Sequence, residues 1–104
     1  MLSFLKNIFR SKPPVNYKEL LKNGAQLIDV RTPGEYKIGH LKGAVNLPLQ
    51  QLQSNVSKIR KDKPVITYCA SGMRSSSAKN LLVSIGFREV YNGGGFHSLE
   101  NKIR

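Results

Sequence analysis

The segment YCASGMRSSS, residues 68–77, holds the only cysteine in the chain. Cys69 follows the apolar, β-branched stretch PVIT and precedes Ala70, Ser71 and Gly72, then Met73, Arg74 and Ser75. That order puts a thiol between the end of a strand and the start of a helix. The first N–H groups of a helix lack intrahelical partners and carry partial positive charge. Small residues at 70–72 let the chain curl so that several of these groups turn inward and cradle an anion around the sulfur. Arg74 adds a full positive charge. A thiol in such a field ionises more easily than usual and becomes a nucleophile near neutral pH. The alternative is a buried, inert cysteine chosen for packing, but the order strand, Cys, small residues, Gly, Arg, helix favours the reactive reading. The nucleotide-phosphate pattern G-x-x-x-x-G-K-[ST] is absent.

The elements that must position this loop are legible as alternating strands and helices. NYKELLKNG (16–24) reads as a helix, with Asn16 as a cap, Glu19 three residues later and Gly24 closing it. AQLIDV (25–30) reads as a short buried strand, and TPGEY (32–36) as a helix start with Thr32 as cap and Pro33 first. AVNL is a second short strand. Apolar residues at 49, 52, 56 and 59 have helical spacing. PVITYC (64–69) is a central strand buried on both faces, RSSSAKNLLVSIGF a helix, EVYN a last strand, and GGGFHSLENKI a Gly-rich turn leading into a terminal helix. Such alternation predicts an α/β domain, its sheet mostly parallel with helices on both faces, and ligands bound beyond the strands' carboxyl ends. Cys69 lies at such an end, and so do Asp29 and Arg31. Tyr68, one residue before the cysteine, is expected to point the other way, into the core.

Composition narrows the classes. A single cysteine forms no internal disulfide, no Cys/His cluster suggests zinc, and no apolar run reaches the roughly 18 residues of a membrane-spanning helix. The start MLSFLKNIFRSKPP is short and charge-interrupted for a secretory signal, so cytoplasm is the expected compartment. Seventeen Lys and Arg against six Asp and Glu give a net charge of +11, a field that attracts anions. The basic clusters KNIFRSK (6–12) and KIRKDK (58–63) read as solvated faces, and with no nucleic-acid-binding motif present, no specific nucleic-acid partner is expected.

Three blocks, LIDVRTPGEYKIGHLKGAVNLP (27–48), VITYCASGMRSSSAKNLL (65–82) and GFREVYNGGGFHSLE (86–100), occur in the order found in single-domain rhodaneses, and the chain resembles that family over about residues 15–103. The resemblance implies a central parallel five-stranded sheet and a thiosulfate or persulfide sulfurtransferase. It implies Cys69 as nucleophile, with Ala70, Ser71, Gly72, Met73, Arg74 and Ser75 forming the anion-binding loop. Arg74 would hold an anionic donor and stiffen the loop, while Asp29 and Arg31 brace the site. The implied partners are a small anionic sulfur donor and a thiol or cyanide acceptor, with a protein thiol as a further acceptor; no cofactor and no metal are implied. His40 matches a block position that is usually structural, and Phe96 stands where the family often has tryptophan.

Two other classes share the architecture. A small-oxyanion phosphatase or arsenate reductase would use the same amide cradle, but such phosphatases generally have five residues between Cys and Arg, whereas four separate Cys69 from Arg74. A non-catalytic binding module would not need the thiol or the small residues after it. The segment 1–14 stands apart from the domain expected over 15–104. Met1, Leu2, Phe4, Leu5, Ile8 and Phe9 share one arc of a helical wheel, opposite Ser3, Lys6, Asn7 and Arg10, with a Pro-Pro hinge after them. Its apolar face is expected to dock on the domain or a second copy, or to rest on an anionic membrane surface through residues 1–12.

Overall fold

Four short strands take up the apolar runs: β1 (Gln26–Asp29), β2 (Val45–Asn46), β3 (Val65–Cys69) and β4 (Val90–Gly95). The computed structural model describes residues 14–104, and among these the strands pair in parallel in the order β2-β1-β3-β4. The helices are α1 (Tyr17–Lys22), α2 (Pro33–Ile38), α3 (Met73–Ser84) and α4 (Phe96–Ile103), with 3₁₀ segments at Leu49–Gln51 and Gln53–Lys58. The expected fifth strand is not found among the described residues. The sequence pattern supplies only four β-branched apolar runs there, and residues 14–16 enter α1 without pairing. The amphipathic segment over 1–12, and Pro13 of the hinge, lie outside the described residues.

Successive side chains of β3 divide between two layers, as strand geometry requires. Val65 and Cys69 join Ile28, Val30, Leu52, Ala78, Leu82 and Phe87 on one face, under α3 and the 3₁₀ segments. Ile66 and Tyr68 join Tyr17, Leu27, Leu41 and Leu99 on the other, under α1 and α4. The sheet is therefore covered on both sides, as expected for parallel strands.

Local chemistry sets the helix starts. Glu19 N–H donates to Asn16 Oδ1 at 3.1 Å. Thr32 and Glu35 form a reciprocal capping box, with Pro33 at the first helical position. Each cap stabilises its helix by about 1 kcal/mol. Two elements depart from expectation. Residues 49–58 wind as 3₁₀ rather than α, because Ser54 Oγ and Asn55 Nδ2 donate to the Gln51 carbonyl at 3.0 and 2.8 Å. That occupies the acceptor an α-helix would offer to the Asn55 N–H, which goes instead to Leu52 O at 3.0 Å. The glycines 93–95 are not a turn but the second half of β4. A Cβ on Gly93 would meet Leu99 Cδ2 at 2.9 Å, and one on Gly95 would meet the Ala70 carbonyl oxygen at 2.6 Å, so close packing demands glycine at those two positions, while Gly94 between them adopts φ 88°, in the left-handed region.

Candidate active site

Cys69 ends β3 opposite Gly95, across an irregularity in the β3–β4 register between Thr67 and Cys69. Gly72 then adopts φ 101°, in the left-handed region, as the cap of α3. That turn folds the loop back over the sulfur. Gly72 N–H donates to Cys69 Sγ at 2.9 Å and Ser75 N–H at 3.4 Å, while Ser75 Oγ stands 3.5 Å away. Ala70, Ser71 and Met73 face solvent, Met73 with 78% of its surface exposed. Burial pushes the Cys69 thiol pKa up, but the Ser75 hydroxyl and the amides of Ser75, Gly72 and Ser71 together outweigh it, and the net shift is downward. The loop thus places donors on a sulfur that has no exposed surface.

Arg74 sits in the first turn of α3, with its guanidinium engaged by α2. Nη1 and Nη2 donate to Glu35 Oε1 and Oε2 at 2.7 and 3.0 Å. Arg74 therefore ties the loop to a neighbouring helix, and its charge acts on Cys69 from a distance. Through Arg74 first, and then the Thr32 amide, the Glu35 carboxyl falls from 4.5 to about 2. Sequence reasoning found Glu35 only as a helix cap; its second role needs contact across 39 residues.

Asp29 and Arg31 form one buried unit at the end of β1. Arg31 Nη2 lies 2.6 Å from Asp29 Oδ2, and the Arg31 amide donates to Asp29 Oδ1 at 2.9 Å. Arg31 Nη2 also donates to Gly39 O at 2.7 Å, holding the carboxyl end of α2 to the sheet. The guanidinium carbon lies 4.9 Å from the centre of the Phe96 ring and 5.6 Å from that of Tyr68. Beside this unit, Arg31, Glu35, Ile38, Ala70, Phe96 and His97 line a cavity of about 280 Å³. Tyr68 is buried on the opposite face from Cys69, and its hydroxyl accepts the Leu41 N–H at 3.0 Å. His40 stacks on Tyr36 with ring centres 3.7 Å apart and donates from Nδ1 to the Tyr36 carbonyl, which is a packing role.

Asn92 on β4 also belongs to the site, and no expectation named it. Its Oδ1 accepts from Ser75 Oγ at 2.6 Å and from Gly94 N–H at 3.0 Å, and its Nδ2 donates to Gly72 O at 3.3 Å. One signal was available: a polar residue entering a glycine run at a strand's carboxyl end. Gly95 supports the loop from the same strand. Gly95→Ala is expected to cost about 1–3 kcal/mol, as overpacking does. It should also slow alkylation of Cys69 at neutral pH, because the added methyl displaces Ala70. Denaturant midpoints and iodoacetamide rates check both.

The family model described as rhodanese-like domain matches residues 14–102. Thiosulfate sulfurtransferase GlpE of Ectopseudomonas mendocina is 36% identical over 89 residues, 85% of this chain and 82% of that protein. The uncharacterized protein YqhL of Bacillus subtilis is 48% identical over 81 residues, 77% of this chain. The match spans 64% of the length of YqhL. A solved structure described as rhodanese with anions, from E. coli, superposes with a TM-score of 0.68 at 34% identity, covering 72% of this chain and 91% of that one.

Proposed function

The chain belongs to the rhodanese-like domain family, and on that premise we propose that it is a sulfurtransferase in which Cys69 carries sulfur from an anionic donor to a thiol or cyanide. The observation that carries this reading is the seat of Cys69 Sγ, fully buried yet held by the amides of Gly72 and Ser75. A thiolate there attacks the outer sulfur of thiosulfate or of a persulfide. With thiosulfate, the donor S–S bond breaks and sulfite leaves with its electron pair, so Cys69 becomes a persulfide whose negative charge lies on the terminal sulfur. Loop amides stabilise that charge without reorganising. An acceptor thiolate or cyanide then attacks the terminal sulfur, and Cys69 departs as thiolate, ready for another turn. Neither step calls for a metal or an organic cofactor. The cavity walled by Ile38 and Phe96 touches the cysteine loop at Ala70. The name of the GlpE relative supports thiosulfate as a donor, and the net charge of +11 favours anions generally.

Intact-mass measurement before and after exposure to thiosulfate tests the reading. The expected result is a gain of one sulfur atom, lost again on adding cyanide, with thiocyanate formed in equal amount. The same protein is expected to leave aryl phosphates untouched. Phosphate release faster than sulfur transfer would favour the oxyanion-hydrolase alternative instead.

A further inference from the structure

The hydrogen bonds around Ser75 contain a conflict over a single proton. Asn92 is fixed in orientation: its Oδ1 accepts the Gly94 N–H at 3.0 Å and its Nδ2 donates to the Gly72 carbonyl at 3.3 Å. Reversing the amide would oppose donor to donor and acceptor to acceptor. The Ser75 hydroxyl, 2.6 Å from Asn92 Oδ1, therefore donates its one hydrogen to Asn92. A lone pair is left facing Cys69 Sγ at 3.5 Å. That arrangement suits a thiol, whose S–H donates to Ser75 Oγ. It does not suit a thiolate, which needs the hydroxyl hydrogen for itself. If the hydroxyl turns to the sulfur, Ser75 Oγ and Asn92 Oδ1 are left as two acceptors 2.6 Å apart.

We infer that Asn92 is a positioning residue for Cys69: it competes with the sulfur for the Ser75 proton and so sets the basicity of the thiolate. The inference rests on Cys69 being the reacting group. The proton changes partner within the catalytic cycle. It serves Sγ while Sγ is a thiolate. After attack on the donor the charge moves to the terminal sulfur, Sγ becomes neutral, and the hydroxyl returns to Asn92. Asn92 thereby raises the free thiolate in energy relative to the persulfide. The thiolate is kept more basic, hence a better attacking group and a poorer leaving group.

None of the charged side chains around Cys69 is hydrogen-bonded to the Asn92 side chain, whose partners are Ser75, Gly72 and Gly94. Arg74 of α3 is bound to Glu35 of α2, and Arg31, just past the end of β1, to Asp29. The one titratable side chain of β4, Tyr91, donates its hydroxyl to Glu89.

The test is the pH dependence of iodoacetamide alkylation in the full chain, where Cys69 is the only thiol. Asn92→Leu frees the Ser75 proton and is expected to lower the alkylation pKa by about half to one unit, the scale of one hydrogen bond. Asn92→Asp keeps the shape of the side chain and strengthens the acceptor, but it also adds a negative charge near the sulfur and removes the donor to the Gly72 carbonyl. It is expected to raise the pKa by a direct part that stays when Ser75 is removed and a part through the Ser75 proton that does not. Ser75→Ala is expected to raise it as well and to abolish the Asn92→Leu shift in the double variant. The upward shift of Asn92→Asp should also shrink in the Ser75→Ala background. Opposite signs from two substitutions at one position do not arise from loss of stability. If Asn92→Leu does not fold, Asn92→Asp with and without Ser75→Ala still decides the matter. A downward or absent shift in Asn92→Asp, or shifts that persist in full without the Ser75 hydroxyl, would overturn the inference. Failure of the wild-type chain to gain sulfur from thiosulfate would instead overturn the sulfurtransferase reading, whatever the alkylation shifts.

Discussion

Cys69→Ser is expected to remove thiosulfate:cyanide sulfur transfer, by at least about a thousandfold, while leaving the domain folded. The chain has no second thiol to take over the covalent step. A serine hydroxyl is far less acidic than a thiol, and the donors around Sγ do not close that gap. The fold should tolerate the exchange because the new oxygen meets hydrogen-bond donors already in place, Gly72 N–H and Ser75 N–H. Replacing one buried polar contact by another changes stability by about 1 kcal/mol or less. In a domain of this size that moves the melting temperature by about 4–8 °C at most. Steady-state turnover, intact mass after thiosulfate and thermal melting together give the result. Turnover surviving in a folded Cys69→Ser protein would remove the persulfide from the mechanism.

The largest expected loss of stability comes from Asp29→Ala. Asp29 is fully buried, and Arg31 retains only 7% of its exposure. Removing the carboxylate leaves a guanidinium in the interior with two aromatic rings and the Gly39 carbonyl as its remaining company. Breaking one side of a buried pair costs about 3–5 kcal/mol, more than the pair's net contribution, because the surviving charge is uncompensated. Against the roughly 5–15 kcal/mol by which domains are stable, that places a measurable fraction of molecules in the unfolded state. Removing both charges, as in Asp29→Asn/Arg31→Met, should recover at least half of the loss. Urea unfolding of the three proteins checks the order. A cost near zero for Asp29→Ala would mean that the end of β1 is held by other contacts, such as the bonds from Asn46 Nδ2 to the Asp29 and Arg31 carbonyls.

Local signals in the sequence proved informative wherever local chemistry decides the outcome. The caps at Asn16 and Thr32, the strand over PVITYC and the turn at Gly72 follow from neighbouring residues, and each appears within a residue or two of its expected place. The apposition of Tyr68 and Cys69 on opposite faces follows from strand periodicity alone. What escaped depends on contacts between distant segments. GGG following EVYN looks like a turn to any local rule, yet it lies in β4, and Gly93 and Gly95 are needed because Ala70, Ile66 and Leu99 come close to that backbone, with only Gly94 needed for its φ of 88°. Glu35 looks like a cap and is one, but nothing near it in sequence announces Arg74. The 3₁₀ winding at 49–58 was hidden because its apolar spacing fits an α-helix equally well, and side chains competing for the Gln51 carbonyl decided between them. The fifth strand came from family likeness and not from any run of residues in the described part of the chain.

The buttressing of the cysteine loop by β4 has a consequence for the order in which the molecule is made. Chains emerge amino end first during synthesis, so Cys69 exists before the residues that hold its loop. Ser75 and Asn92 are separated by 17 positions, and Gly95 must arrive with Asn92 before Ala70 is pinned. Parallel pairing of β3 with β4 cannot form through a tight hairpin and waits for α3 to cross over. Until then the loop samples many shapes, and its amides spend little time on the sulfur. On the sulfurtransferase reading proposed above, a nascent or partly folded molecule therefore carries a thiol of ordinary acidity, and the field that would favour its thiolate arrives only when the last strand docks.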